Sequence, residues 1–223
     1  MNLSKKKALV TGASKRVGLK IAEHLIQNGY SVVIHSSKPV AQKSDKFEYV
    51  TSDFRDPNQV ELLLSELQDV DLLINNASFF SKDDFSTISI ENLQNSFSVN
   101  LFTPLILTAK LKNLKNVINI LDSSTDKNDD YFLSYKLAKR SLTDLTKIAA
   151  NALNKKQCRA NGIALGFIET PSGVSDHVYQ KLLSETPLGI ETKISELLTC
   201  IDTILSCESM TGNVIYLDSG VCA

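Results

Sequence analysis

Residues 8–18 read Ala8-Leu9-Val10-Thr11-Gly12-Ala13-Ser14-Lys15-Arg16-Val17-Gly18, an apolar triplet running into a turn with two glycines. The triplet is bounded at once by Thr11-Gly12, so it is a buried strand and far too short for a signal h-region or a membrane span. In the stretch 17–27 that follows, Ile21 and Leu25 recur at helical spacing. Gly12 permits the tight turn, and Gly18 lets the helix pack close to the sheet. The N–H groups exposed at such a helix start favour a pyrophosphate. The unit is therefore either the opening of a nucleotide-binding sheet or a plain βα turn.

Outward from this unit, apolar runs of strand length alternate with helical stretches to the end of the chain. Further strands are expected at 32–35, 47–51, 71–75, 117–121, 160–164 and 214–217. Helices are expected at 56–67, 90–97, 101–111, 133–153 and 194–205, and Asn28-Gly29 closes the first helix through a left-handed turn. The strand runs are continuously apolar rather than alternating, which is the pattern of a parallel sheet covered on both faces. The fold class is α/β, a doubly wound Rossmann-type parallel sheet of about seven strands. No repeat or linker interrupts it, so one domain is expected over 1–223.

Composition narrows the function classes. With 43% hydrophobic and 22% charged residues the chain is of ordinary globular type. A net charge of -1 gives no general attraction for nucleic acid or an anionic membrane, so phosphate binding has to come from a local site. Cys158, Cys200, Cys207 and Cys222 form neither a CxxC pair nor a metal-ligand spacing. With no secretory signal, a reducing cytoplasm is the expected location.

The second strand ends in His35-Ser36-Ser37-Lys38, where NAD-preferring sites place an acid against the ribose 2′-hydroxyl. An acid there would repel a 2′-phosphate, whereas the basic and hydroxyl groups present can bind one, so NADPH is expected over NADH. Ser14, Lys15, Arg16 and Val17 lie inside the turn where the phosphates would rest. Asp53 either accepts a hydrogen bond from the adenine amino group or caps the turn before Asp56-Pro57. The fourth strand ends in Asn75-Asn76-Ala77-Ser78, at the carboxyl edge where open α/β sheets bind ligands.

Chemistry is expected from Tyr135-Lys136-Leu137-Ala138-Lys139, which puts a phenol and an ammonium on one helix face, a turn apart. A phenol near its free pKa of about 10 is neutral at pH 7 and can donate a proton. A neighbouring ammonium is expected to lower that pKa and improve the phenol as an acid or base.

Taken together, Thr11–Gly18, Asp53, Asn75–Ala77, Asn100, Tyr135xxxLys139, Asn161-Gly162-Ile163 and Thr211-Gly212…Asp218-Ser219-Gly220 resemble a short-chain dehydrogenase/reductase over essentially the whole chain. The resemblance implies that Tyr135 donates the proton while Lys139 holds the nicotinamide ribose and depresses the tyrosine pKa. It implies that Asn100 anchors a water linking Lys139 to solvent, and that Thr170 lies near the nicotinamide carboxamide or the phosphates. Thr170 is equally explained as a helix cap before Pro171. Residues 172–189, with His177 and Tyr179, would form a short substrate lid. The family also commonly assembles as a homo-tetramer through two long helices, here 101–111 and 133–153.

Three departures from the family pattern point to its pteridine reductase and dihydromonapterin reductase branch. Asp122 stands thirteen residues before Tyr135 where a serine is usual, Arg16 replaces the middle glycine of the turn, and Ser78 precedes Phe79-Phe80. A pterin is a flat polar heteroaromatic, which Phe80 could face on one side. Asp122 could accept from its amino groups or pass a proton to Tyr135, and Arg16 could touch both phosphate and pterin edge. Ser123 or Ser124 remains a rival for the third active-site position after a register shift. The expected reaction is hydride transfer from NADPH to a C=N bond of a dihydropterin or dihydrofolate. Reduction of a 3-oxoacyl or other small carbonyl, or a catalytically silent NADP(H)-binding role, are the alternatives.

Overall fold

Alternate residues of the first strand feed opposite layers. In β1 (Lys7–Val10), Ala8 and Val10 pack on one face of the sheet and Leu9 on the other. The same division recurs in β2 (Ser31–Ser36), where Val32 and Ile34 oppose Val33, and in β4 (Leu72–Asn75), where Leu72 and Ile74 oppose Leu73. Both faces are apolar, as a parallel sheet covered on two sides requires. The computed structural model describes residues 5–67, 69–169 and 175–222. With β3 (Glu48–Thr51), β5 (Asn116–Asp122), β6 (Arg159–Leu165) and β7 (Val214–Leu217), it forms a seven-stranded sheet ordered β3-β2-β1-β4-β5-β6-β7. Every pairing is parallel.

On one face lie α1 (Arg16–Gln27) and α7 (Ile194–Ser206), which bring Ile21, Leu25, Leu197 and Ile201 onto Ile34, Ile74 and Ile163. On the other lie α2 (Pro57–Glu66), α4 (Thr103–Lys110) and α5 (Leu133–Ala152), whose Leu63, Leu107 and Ala149 cover Leu9, Leu73 and Val117. The helix α3 (Ile90–Phe97) precedes α4, and α6 (Asp176–Ser184) falls within the expected lid. Among the described residues no helix is long and apolar enough to cross a membrane.

The order of strands reverses direction beside β1, whose neighbours are β2 and β4. Chain leaving β1 and chain leaving β4 therefore part at their carboxyl ends and open a crevice, the usual ligand site of such sheets. Thr11 fastens the two exits together. Its hydroxyl accepts from Asn76 N–H and Ala77 N–H, both at 3.0 Å, and the Asn76 amide donates back to Thr11 O at 2.9 Å.

One boundary differs from the sequence reading. The expected helices at 90–97 and 101–111 are continuous through a π-helical turn, Ser98–Phe102. Pro104 has no N–H to give the carbonyl of Asn100 four residues earlier, so an α register cannot pass through it. The bonding slips instead, with Thr103 N–H reaching Ser98 O. Asn100 is thereby wound into a buried turn rather than left at a helix break.

Candidate active site

The crevice has two lobes. One, of about 370 Å³, lies between the glycine turn, the end of β2 and Asp53-Phe54-Arg55. The other, of about 350 Å³, runs from the same turn past Asp122, Tyr135 and Lys139 to Gly166 and Ile168. Gly12, Lys15, Asn76 and Ser78 line both, so the lobes meet over the turn.

The turn itself leaves no room for side chains. A Cβ on Gly12 (φ +63) would stand 2.7 Å from Ala77 Cα, and one on Gly18 would stand 2.5 Å from the Asn76 amide nitrogen and 2.7 Å from Gly12 O. Such contacts are beyond what packing can absorb, so both positions require glycine. Arg16 occupies the position where the family pattern has its middle glycine, and its φ of 53 is in the left-handed region that glycine favours. Its guanidinium donates to Glu169 O at 2.7 Å, and Glu169, just past β6, also has a left-handed φ, of 48.

In the second lobe, α5 presents Tyr135 and Lys139 from successive turns toward the end of β5. The Tyr135 hydroxyl donates to Asp122 Oδ2 at 2.6 Å, while Asp122 Oδ1 accepts from Ser124 N–H at 2.8 Å and from the Ser124 hydroxyl at 2.6 Å. Lys139 Nζ donates to Ile120 O at 2.8 Å. Tyr135 is 6% exposed and Lys139 3%. Burial pushes the Tyr135 phenol well above its usual 10, and the Asp122 charge and hydrogen bond push it further, against a smaller opposing bond from Ser78. Burial draws the Lys139 ammonium down to about 8, with Asp122 opposing that fall. Phe80 meets the Tyr135 ring edge-on at 4.7 Å and Phe132 at 4.3 Å.

This geometry sits in a recognisable sequence context. The family model described as short chain dehydrogenase matches residues 6–177. The chain belongs to that family. It is an NAD(P)-dependent oxidoreductase of the short-chain type. It is 27% identical over 249 residues to a 3-oxoacyl-(acyl-carrier-protein) reductase FabG of Chlamydia muridarum, covering 98% of each chain. It is 28% identical to an L-xylulose reductase of Mus musculus, covering 100% of this chain and 99% of that one. Among solved structures it resembles FolM alternative dihydrofolate reductase 1 of Brucella canis complexed with NADP. That likeness has a TM-score of 0.86 and 27% identity, covering 98% of this chain and 94% of that chain.

Within this short-chain dehydrogenase several expected roles change. The tyrosine pKa is not lowered as expected: burial with Asp122 moves the phenol upward, and Lys139 is bonded to the Ile120 main-chain carbonyl. The Asn100 side chain is taken up by the loop after β4. Its side-chain oxygen accepts from the Ser78 hydroxyl at 3.0 Å and Phe79 N–H at 3.2 Å, and its amide donates to Phe79 O at 2.8 Å. It braces the loop that carries Ser78 and Phe80. His35 is not a cation for a phosphate. Its Nδ1 accepts from Gly12 N–H at 3.2 Å, its Nε2 faces Ser52 O at 2.8 Å, and burial draws its pKa down to about 4. Stacked on Phe54 at 3.9 Å, it supports the glycine turn as a neutral ring.

The position facing the phenol is held by Asp122, not by a shifted serine. Ser123 is buried, its hydroxyl has no hydrogen-bond partner among the described residues, and it does not line the lobe. Ser36 is also buried and donates to Lys38 O at 2.7 Å, whereas Ser37 is exposed beside it. Asp53 lines the first lobe and caps Arg55 N–H at 3.0 Å, in line with the turn-capping reading of it. Thr170 lies outside the described residues, as do 171–174 of the expected lid. His177 is exposed on α6, and Tyr179 packs against Phe167 and reaches Glu191 at 3.3 Å; neither lines the Tyr135 lobe.

Sequence reasoning missed Arg55 and Phe132, and it weighed Ser124 only as a rival to Asp122, whereas Ser124 bonds that carboxylate. Arg55 grips Asp53 through Nε at 2.9 Å and Nη2 at 2.5 Å, and it is a cation lining the first lobe together with Lys15. Its position two residues after Asp53 was the available signal. Phe132 immediately precedes a helix, with no polar side chain to mark it.

Proposed function

We propose that this protein is an NADPH-dependent reductase acting on a C=N bond of a dihydropterin or dihydrofolate. The observation that carries the reading is Asp122 bonded to the Tyr135 hydroxyl at 2.6 Å, with Phe80 56% exposed against the same tyrosine. A polar flat ring is served by that combination: a carboxylate accepts from ring amino groups, and an aromatic face covers the ring. Two Brucella FolM alternative dihydrofolate reductases described with NADP are 27% identical to this chain, which adds support.

The residues present fit the cofactor. The start of α1 has no side-chain cap, which leaves its N–H groups for the pyrophosphate, and Ser14, Lys15, Arg16 and Val17 line the lobes beside it. Ser37, Lys15 and Arg55 serve a 2′-phosphate at the first lobe, and Asn76, Ala77 and Lys139 serve the nicotinamide ribose. When bound, NADPH would be the source of the hydride for the carbon of the C=N bond. Tyr135 stays protonated at pH 7 and supplies the proton to the nitrogen, directly or in exchange with Asp122 across their hydrogen bond. Lys139, which lines the same lobe as Tyr135, keeps a positive charge up to about pH 8.

A second reading has its own support, since 3-oxoacyl-(acyl-carrier-protein) reductases recur among the relatives. NADPH oxidation measured with dihydrobiopterin, dihydromonapterin, dihydrofolate and an acetoacetyl thioester separates them. The expected result is turnover of at least one pterin or folate with kcat/KM at least about 10-fold above the thioester. Turnover of the thioester alone removes the pterin reading, and an inert protein that still binds NADPH is the silent one.

One domain carries this activity, with 172–189 as its lid, and a homo-tetramer is its working form. Phe102, Leu105 and Ile106 near α4 and Leu137 and Ile148 on α5 are exposed apolar side chains on the two helices concerned. Ile148→Asp is expected to shift the mass seen by light scattering from four chains toward two or one; a wild type that is already monomeric overturns the assembly. Four free thiols agree with a reducing cytoplasm.

A further inference from the structure

We propose that Asp83 is a positioning residue for the reaction, tying the loop that carries Ser78 and Phe80 to the helix that carries Tyr135 and Lys139. This rests on the reading of Tyr135 as the proton donor. The helix α5 begins without a cap of its own: Phe132, the residue before it, has a left-handed φ of 56, offers no capping side chain, and no acid lies in the first turn. An uncapped start leaves backbone N–H groups without partners, which is costly where the start is buried.

Asp83, 51 residues upstream, supplies what is missing. Its Oδ1 accepts from Ser134 N–H at 3.1 Å, its Oδ2 accepts from the Ser134 hydroxyl, and its main-chain carbonyl accepts from Leu133 N–H at 3.2 Å. Asp83 is 5% exposed and Ser134 is fully buried, so these bonds are shielded from competing water. A negative group at a helix N-terminus is also favoured by the helix dipole.

The same two segments touch a second time. Phe80 meets Phe132 and Tyr135 on one side of the junction while Asp83 grips Ser134 on the other. Ser134 is the immediate neighbour of Tyr135, so the tether fixes the backbone from which the phenol projects. It simultaneously fixes the loop whose Ser78 bonds Asn100 and whose Phe80 faces the substrate. One carboxylate therefore sets the distance between the proton donor and the ring-covering aromatic.

The test compares Asp83→Ala, Asp83→Asn, Ser134→Ala and the Asp83→Ala/Ser134→Ala pair in the full chain. Asp83→Ala is expected to lower kcat on the order of 10- to 100-fold and to raise the KM of the ring substrate, with NADPH affinity within about two-fold of wild type. Asparagine keeps an acceptor for Ser134 N–H and is expected to recover most of the loss. The double variant should be no worse than Asp83→Ala alone, because both changes cut one interaction.

Hydrogen exchange supplies a readout without turnover. Amides at the start of α5 should exchange faster in Asp83→Ala while those of α7 do not change. If Asp83→Ala fails to fold, Ser134→Ala, which removes the hydroxyl bond to the same carboxylate, carries the comparison at smaller amplitude. Wild-type kcat, KM and exchange in Asp83→Ala, or in Ser134→Ala where Asp83→Ala does not fold, overturn the proposal, as does a loss of NADPH affinity as large as the loss of kcat. A wild type inert on every substrate but with the expected exchange pattern overturns the functional reading and leaves the tether standing.

Discussion

Replacing Tyr135 with phenylalanine is expected to lower kcat by about 10²–10⁴-fold while NADPH binding stays within about two-fold of wild type. The ring survives the change, so its edge contact with Phe80 at 4.7 Å and its burial are kept. Only the hydroxyl is lost, and with it the bond to Asp122 Oδ2. Asp122 retains both Ser124 bonds on its other oxygen, which holds the carboxylate in place. Leaving one acceptor without its donor costs about 1–3 kcal/mol when buried, and Asp122 is only partly buried, so the fold should persist. The interaction removed matters while the proton moves, so kcat and kcat/KM should fall together. The loss should also be even across neutral pH, since the phenol is held protonated far above that range. Steady-state NADPH oxidation and fluorescence titration with NADPH check the two halves; a phenylalanine variant with full turnover would remove Tyr135 from the chemistry.

How much of this was legible beforehand follows from the range over which each signal acts. The glycine turn, the strands and the Tyr135–Lys139 pair were readable because each depends on a few neighbouring residues: a turn that demands glycine, an apolar run, a spacing of one helical turn. Arg16 was legible as a departure, but not the left-handed backbone it adopts to replace a glycine. The π-helical turn at Asn100 was hidden for a different reason. Pro104 reads as a helix start, and only packing decides whether the chain breaks there or slips register and continues. His35 shows the limit of reading charge from a residue type. It stands at the end of β2 as expected, yet its ring turns inward onto Phe54, where burial keeps it neutral. The bond from Asp83 to Ser134 spans 51 residues, and no local pattern announces it. The expected fall of the Tyr135 pKa failed on the same ground, because desolvation depends on the whole fold and the charge beside the hydroxyl is that of Asp122.

Asp122→Asn is expected to lower kcat/KM by about 10²-fold and to move its alkaline limb to lower pH. The profile of kcat/KM reports groups in the free enzyme, and Lys139 there loses its proton at about 8. The sign follows from the two causes acting on that lysine. Burial disfavours the ammonium and lowers the pKa, whereas the Asp122 charge favours the ammonium and raises it. Asparagine removes the second cause and leaves the first, so the ammonium is lost at a lower pH than in wild type. Tyr135 responds in the same direction, because the same charge is one of the causes holding its phenol high, but burial is the larger cause and remains. The order of the two titrations is therefore preserved, and the shifted limb belongs to Lys139. A Lys139→Met variant, which has no ammonium to lose, should show no limb in that range at all. A serine in place of Asp122 would restore the hydroxyl usual in the family, yet it carries no charge, so the limb should shift as far as with asparagine even if carbonyl turnover improves. An Asp122→Asn protein with full activity and an unmoved limb would show that the carboxylate neither holds the phenol for reaction nor sustains the lysine charge, and the pterin reading would lose the contact on which it stands.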